Sequence, residues 1–280
     1  MAPNHSRLPA ITITLLVLST GGVLGQKKVT AEFTDPATGI VLQRFFGTQS
    51  GYGFGIALPT APATNSFIGQ LTFPLNNGAG WGGWSLTGDM EGPLLMAAWS
   101  DGTSVVSSFR QAANEKHNPP EVAGNFSVKP ISKGTSVNNT FLTYTFLCEG
   151  CLGAQFGLDP NANASKGSSA EMGWALSSKP VINPGSSAGV LAFHNVGEGG
   201  FKADLALARR PEFDTWAALA GPPVARASGA KPFDTVKGGL AVIVGTKIVA
   251  MMTAAMSLTM MTDLKLAWKY SRQHVFLCIN

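Results

Sequence analysis

Phe141-Leu142-Thr143-Tyr144-Thr145-Phe146-Leu147-Cys148 is the stretch whose reading decides the fold. Leu142, Tyr144, Phe146 and Cys148 fall on every second position, with Thr143 and Thr145 between them. That two-residue period belongs to a strand with one buried and one solvated face. Working outward, similar short runs occur at Ile40–Phe46, Tyr52–Leu58, Phe67–Phe73, Pro93–Trp99, Thr103–Arg110, Phe126–Ile131, Met172–Ser177, Val190–His194 and Phe201–Leu207. Gly, Pro, Asn and Ser punctuate them, as turn residues do. Leu94-Leu95-Met96-Ala97-Ala98-Trp99 is apolar on both faces and reads as a central strand. No long stretch from 30 to 208 has helical period. Many short strands separated by turn signals predict an all-β sandwich.

Composition narrows the class further. Of 280 residues, 45% are hydrophobic and only 13% charged, which excludes a disordered chain. The 33 glycines show no three-residue period and no heptads run, so collagen and coiled coil fall away. The net charge of +4 is unevenly placed. Residues 26–230 carry 13 basic against 14 acidic side chains, and the excess of positive charge lies in the leader and the tail. A near-neutral domain without basic runs is a poor nucleic-acid binder.

Both ends differ from the middle. Arg7, the apolar run Ile11 to Leu18 and the small-residue site Val23-Leu24-Gly25 read as a secretory signal peptide over 1–25. The apolar run is too short to cross ~30 Å of hydrocarbon as a helix. Sequons at Asn125, Asn138 and Asn163 lie in polar, turn-like sequence and suit a glycosylated, secreted domain. The sandwich is placed at 26–210. Pro211 and Gly221-Pro222-Pro223 mark a linker over 211–237, with a short helix near Phe213–Leu219. Residues 238–262 are nearly continuous apolar sequence interrupted by Lys247, the pattern of one transmembrane helix. Lys265, Lys269 and Arg272 follow and predict a cytoplasmic tail over 263–280. These features place the domain on the extracellular side of the plasma membrane, single-pass, or free in the medium.

The residues that carry chemistry are few. Cys148-Glu149-Gly150-Cys151 lacks the second pair of a zinc ribbon, and Leu152 stands where covalent haem attachment needs His. A thioredoxin-like pair opens a helix, whereas this one ends a strand. In a secreted domain a short structural disulfide is the plain reading, and Cys278 is a free thiol beyond the span. Of four histidines, His5 is in the leader and His274 in the tail, leaving His117 and His194. No Gly-x-Ser-x-Gly elbow, His-Glu-x-x-His or phosphate loop occurs. Met90 sits in the turn Gly88-Asp89-Met90-Glu91-Gly92 with a carboxylate on either side. Either it is a surface methionine in a loop or something apolar covers it. By default His194 is a satisfied, half-buried histidine.

Three segments carry a resemblance: Gly80-Trp81-Gly82-Gly83-Trp84-Ser85-Leu86-Thr87-Gly88-Asp89-Met90, then Pro93-Leu94-Leu95-Met96-Ala97-Ala98-Trp99, then Val105-Val106-Ser107-Ser108-Phe109-Arg110-Gln111-Ala112. Val137-Asn138-Asn139-Thr140, Cys148-Glu149-Gly150-Cys151, Gly173-Trp174-Ala175-Leu176-Ser177 and Phe193-His194 continue it in order. The sequence resembles the haem-binding cytochrome domain of fungal cellobiose dehydrogenases over most of Ala31–Ala208. The resemblance implies an immunoglobulin-like, antiparallel β-sandwich of the DOMON type. It also implies haem b held between Met90 and His194 as axial ligands, with Cys148 and Cys151 on the family disulfide. A thioether opposite an imidazole favours Fe(II), and two filled axial positions suit electron relay rather than oxygen activation. The implied partners are a flavin dehydrogenase as donor and a copper polysaccharide monooxygenase, quinone or Fe(III) as acceptor.

Two departures bear on this. Where the family continues Arg-x-Ala-Thr-Gly-Tyr, this chain has Arg110-Gln111-Ala112-Ala113-Asn114-Glu115, so Glu115 replaces a tyrosine at the haem rim. The flavin domain that oxidises the sugar is absent from these residues. Two other readings remain open from sequence. One is a ferric-reductase chain with a truncated membrane part, although residues 238–262 hold no histidine. The other is a haem-free DOMON module that binds a partner protein or stacks a sugar on Trp81 and Trp84.

Overall fold

The computed structural model of the protein describes residues 28–60, 64–160 and 169–235. The leader, Asn163, the apolar segment 238–262 and Cys278 lie outside the described residues. Strands follow the turn chemistry closely: β1 Ala31–Thr34, β2 Val41–Phe46, β3 Gly53–Pro59, β4 Phe67–Pro74, β5 Trp81–Ser85, β6 Leu95–Ser100, β7 Val105–Arg110, β8 Val122–Ala123 and β9 Ser127–Pro130. β10 Ser136–Val137, β11 Phe141–Glu149, β12 Ser169–Ser177, β13 Gly197–Asp204 and β14 Arg209–Arg210 complete the sandwich, with α1 Phe213–Ala217 and β15 Lys231–Pro232 after it.

Two sheets face each other. The larger runs β1-β2-β3-β4-β11-β10, with β9 beside β11 and β14 beside β3; the smaller runs β13-β12-β5-β6-β7. Pairing within both is antiparallel apart from the two-residue β14. The core between them is aromatic. Phe54, Phe67, Trp84 and Phe146 lie within 6.4 Å of one another in successive ring pairs, and Phe45 stacks on Phe201 at 4.7 Å. Tyr52 joins the sheets through a hydrogen bond from its hydroxyl to the Gly83 carbonyl at 2.8 Å.

Four expectations need correcting. β11 has no wet face at its centre: Thr145 is fully buried, donating to the Gly134 carbonyl at 2.6 Å and accepting from Gln70 Nε2 at 3.0 Å. A second core covers that side, in which Ile40, Leu42, Ile68, Ile131 and Leu147 meet Phe213 of α1. The run Val190–His194 is a loop: Val190 makes one isolated bridge to Ile182, and from Leu191 to Phe193 the backbone is held by side chains of β5, β12 and the 114–119 segment rather than by a neighbouring strand. The stretch read as a linker is docked on the sandwich over its described part: Val224 donates to Val128, β15 pairs β8, and Phe233 meets Phe126 and Phe156. Trp84 is 2% exposed in the aromatic core and Trp81, 6% exposed, lies on the opposite face of β5, so the two do not form a shared stacking surface for a sugar.

A cavity between two loops on the outer sheet face

The register of the smaller sheet places the site. On β5 the side chains alternate, so Gly82 and Trp84 face the aromatic core while Trp81, Gly83 and Ser85 face outward. Gly83 pairs with Ala97 of β6 and with Ala175 of β12, and Ala97 pairs with Ser108 of β7. The middle row of the outward face is therefore Ala175, Gly83, Ala97 and Ser108, four of the smallest side chains available. A Cβ at Gly83 would lie 2.9 Å from the Met96 carbonyl, so the strand tolerates no larger residue there. The row on one side of it contains Trp81, Trp99 and Ser177; the row on the other contains Ser85, Leu95, Gly173 and Arg110.

Each flanking row anchors a loop. At the tryptophan end, Trp81 Nε1 donates to the Ala192 carbonyl at 2.9 Å and Trp99 Nε1 to the Pro184 carbonyl at 2.7 Å. Ser177 Oγ donates to the Phe193 carbonyl at 2.9 Å, and Asn195 is tied to Ser178 at 3.0 Å. Buried indoles need acceptors, and here the acceptors are the backbone that presents His194. The imidazole sits 6.5 Å from the Trp81 ring, edge to face. Its Nδ1 donates to Glu198 Oε2 at 2.5 Å, which leaves Nε2 as the nitrogen with an available lone pair. A carboxylate behind an imidazole is the arrangement that fixes the tautomer of a metal-ligating histidine.

The other flanking row anchors the Met90 turn. Ser85 Oγ donates to the Asp89 carbonyl at 2.7 Å, Thr87 Oγ1 to the same oxygen at 3.1 Å, and the Asp89 carboxylate accepts from the Glu91 amide at 3.2 Å. Gln111 Nε2 holds the Gly92 carbonyl at 2.8 Å. Met90 itself is half-buried.

Between these loops, over the small-residue floor, lies a cavity of about 780 Å³ to which both Met90 and His194 contribute. That volume falls within the ~300–1,000 Å³ range of cofactor sites. The lining is mostly apolar, with Trp81, Leu95, Leu191 and Phe193 beside the glycines and alanines of the floor. Residues 115–119 form a further wall, bringing His117 and Lys116 to the same cavity. Arg110, 1% exposed, lies beneath that wall. Burial pushes its guanidinium down to about 10, partly offset by the charge of Glu121. A flat apolar group fits such a floor, and one soft sulfur and one imidazole nitrogen form a donor set suited to haem iron.

The remaining sequence-predicted residues lie elsewhere. Cys148 and Cys151 form a disulfide with Cα atoms 5.7 Å apart, closing the turn after β11. Gly150 in that turn has φ +66, and a Cβ there would meet the Asn125 carbonyl at 2.3 Å. Asn125 and Asn138 are exposed, and Asn138 Oδ1 caps its own turn by accepting from the Thr140 and Phe141 amides. Glu198, Arg110 and the floor residues were not visible as site residues in the sequence. Glu198 stands four positions after His194, and only the loop geometry turns that spacing into a contact.

An outer-face cavity that gathers a thioether and an imidazole on a β-sandwich is the frame of a cytochrome domain. The family profile described as the cytochrome domain of cellobiose dehydrogenase matches residues 33–215, and the chain belongs to that family. It is 29% identical over 192 residues to a pyrroloquinoline quinone-dependent pyranose dehydrogenase of Coprinopsis cinerea, an alignment covering 65% of this chain and 24% of that relative. The chain thus matches about a quarter of the relative's length. The solved cytochrome domain of Myriococcum thermophilum cellobiose dehydrogenase superposes with a TM-score of 0.63 at 31% identity, over 71% of this chain and all of that one. The cytochrome b domain of Coprinopsis cinerea pyranose dehydrogenase has the same fold, with a TM-score of 0.59 at 24% identity, over 72% of this chain and 98% of that one. Cytochromes are haem proteins, and among the described residues this cavity is of a size to take a haem.

Proposed function

We propose that the cavity holds haem b with Met90 and His194 as axial ligands, and that the protein relays single electrons outside the cell. One observation carries the reading. Two loops more than 100 residues apart in sequence, each pinned by its own strand residues, bring a thioether and a carboxylate-backed imidazole to one apolar cavity. When bound, haem iron with both axial positions filled supplies outer-sphere, one-electron chemistry. The chain's own residues set the conditions for it. Glu198 holds the His194 ring by Nδ1, Ser85 and Thr87 hold the Met90 turn, and apolar side chains supply much of the lining. A dehydrogenase domain, flavin-dependent in the reading by resemblance, is the proposed donor. A copper polysaccharide monooxygenase, a quinone or Fe(III) is the proposed acceptor. The leader, the sequons and the disulfide support an extracellular place for the sandwich.

Ligand substitutions test this directly. His194→Ala removes six-coordination from the visible spectrum. Met90→His keeps it but lowers the midpoint potential, because imidazole stabilises Fe(III) better than a thioether does. Met172→Leu, in the core between the sheets, changes neither. If Met172→Leu produced these effects and Met90→His did not, the ligand assignment would be wrong.

A further inference from the structure

The cavity's charged lining is distributed unevenly, and the distribution has a chemical meaning. The floor offers only Gly, Ala and Ser side chains, and the two end loops offer the thioether and the imidazole. Of the cations of the lining, Arg110 ends β7, and Lys116 lies with His117 on the wall that follows it. That wall is firmly built. Asn114 Oδ1 accepts from the Lys116 amide at 3.0 Å and from His117 Nδ1 at 2.8 Å. Because the oxygen already serves as acceptor to an amide, His117 carries its proton on Nδ1 and presents Nε2 at the other side of the ring. Asn118 Oδ1 accepts from the Leu191 amide at 2.9 Å, joining the wall to the loop of His194.

Beneath it, Arg110 donates to Ser108 Oγ at 2.8 Å and to the carbonyls of Pro119, Ser187 and Gly189 at 3.0, 2.6 and 2.8 Å. All four acceptors are neutral. The charge that answers it is that of Glu121, a buried carboxylate on the segment bridged to Arg110. Arg110 is thus held by the fold itself, and the exposed titratable residues of the wall are Glu115, Lys116 and His117.

We propose that Lys116 and His117 form a carboxylate-binding edge of the cavity, and that it receives the two propionate groups of the haem. This rests on the function proposed above. A haem gripped through its two faces by Met90 and His194 must direct its carboxylates along an edge, and the 115–119 wall is the edge that carries a cationic donor. Lys116 is the cationic donor of this edge through Nζ, and His117 stands beside it on the same wall. Lys116 and His117 thus supply the polar contact at the rim next to Glu115.

The test uses the full chain and its K116Q/H117Q variant, each loaded with haem b or with haem b whose propionates are methyl esters. Haem loss is followed spectroscopically as transfer to excess apomyoglobin, and circular dichroism checks the fold. The double variant is expected to lose haem b about tenfold faster than the unaltered chain, and the ester at the same rate as the unaltered chain. Equal loss of haem b from both proteins, or the same acceleration with the ester, overturns the proposal while leaving the haem reading standing. Failure of the unaltered chain to take up haem in any form overturns both.

Discussion

At the residue scale the account turns on Glu198. Its carboxylate is the acceptor for His194 Nδ1, and an anionic partner makes the ring a better donor to iron(III). Glu198→Gln keeps the shape of the contact and removes the charge. The midpoint potential is expected to rise and haem affinity to fall by roughly 10–100-fold. Redox titration and haem-transfer kinetics measure the two effects, and an unchanged potential would show that the contact does not tune the ligand. Met90 and His194 enter as candidate ligands through the resemblance alone. The structure adds that the Met90 turn is pinned by Ser85 and Thr87 and that both residues line one cavity. The floor residues gave no signal at all, because a small side chain acquires meaning only once the strand register places it in a row.

At the element scale, most strands could be read from turn residues and alternation, and the failures have physical causes. β5 was missed because Trp81-Gly82-Gly83-Trp84-Ser85 has two glycines where a strand normally has side chains to pack. Both glycines answer close approaches: a Cβ at Gly82 would meet the Phe73 ring at 2.5 Å, and one at Gly83 the Met96 carbonyl. A strand that looks weak alone is thus a central strand of its sheet. Val190–His194 failed in the opposite sense: the pattern is strand-like, but the segment is held by Trp81, Ser177 and Asn118 side chains. The disulfide makes a separable prediction at this scale. Cys148 and Cys151 close a very short loop and do not line the cavity. Breaking the bond is expected to cost about 2 kcal/mol by the loop-entropy estimate. Chemical denaturation with and without reductant should show that loss, while the haem spectrum of the still-folded protein stays unchanged. A changed Soret band in the folded, reduced protein would contradict the separation.

At the scale of the whole molecule, the sandwich accounts for the described residues, and its docked C-terminal strap ends at β15 and Phe233. Among the described residues no helix is long and apolar enough to cross a membrane. The segment 238–262 therefore stands as a proposal from its composition, with Lys265, Lys269 and Arg272 behind it on the cytoplasmic side. The full chain is expected to pellet with membranes and resist carbonate extraction, and external protease is expected to release the sandwich. Full-length protein soluble in the medium would remove the anchor and leave the electron relay intact. The central claim is haem in the cavity between Met90 and His194, and the visible spectrum of the full chain, made through a secretory route with haem supplied, tests it most directly. The account predicts a six-coordinate, low-spin Soret band that shifts on reduction, a pyridine haemochrome of the b type, and haem extractable by acid-acetone. A chain that folds but remains colourless after reconstitution with haem would contradict it.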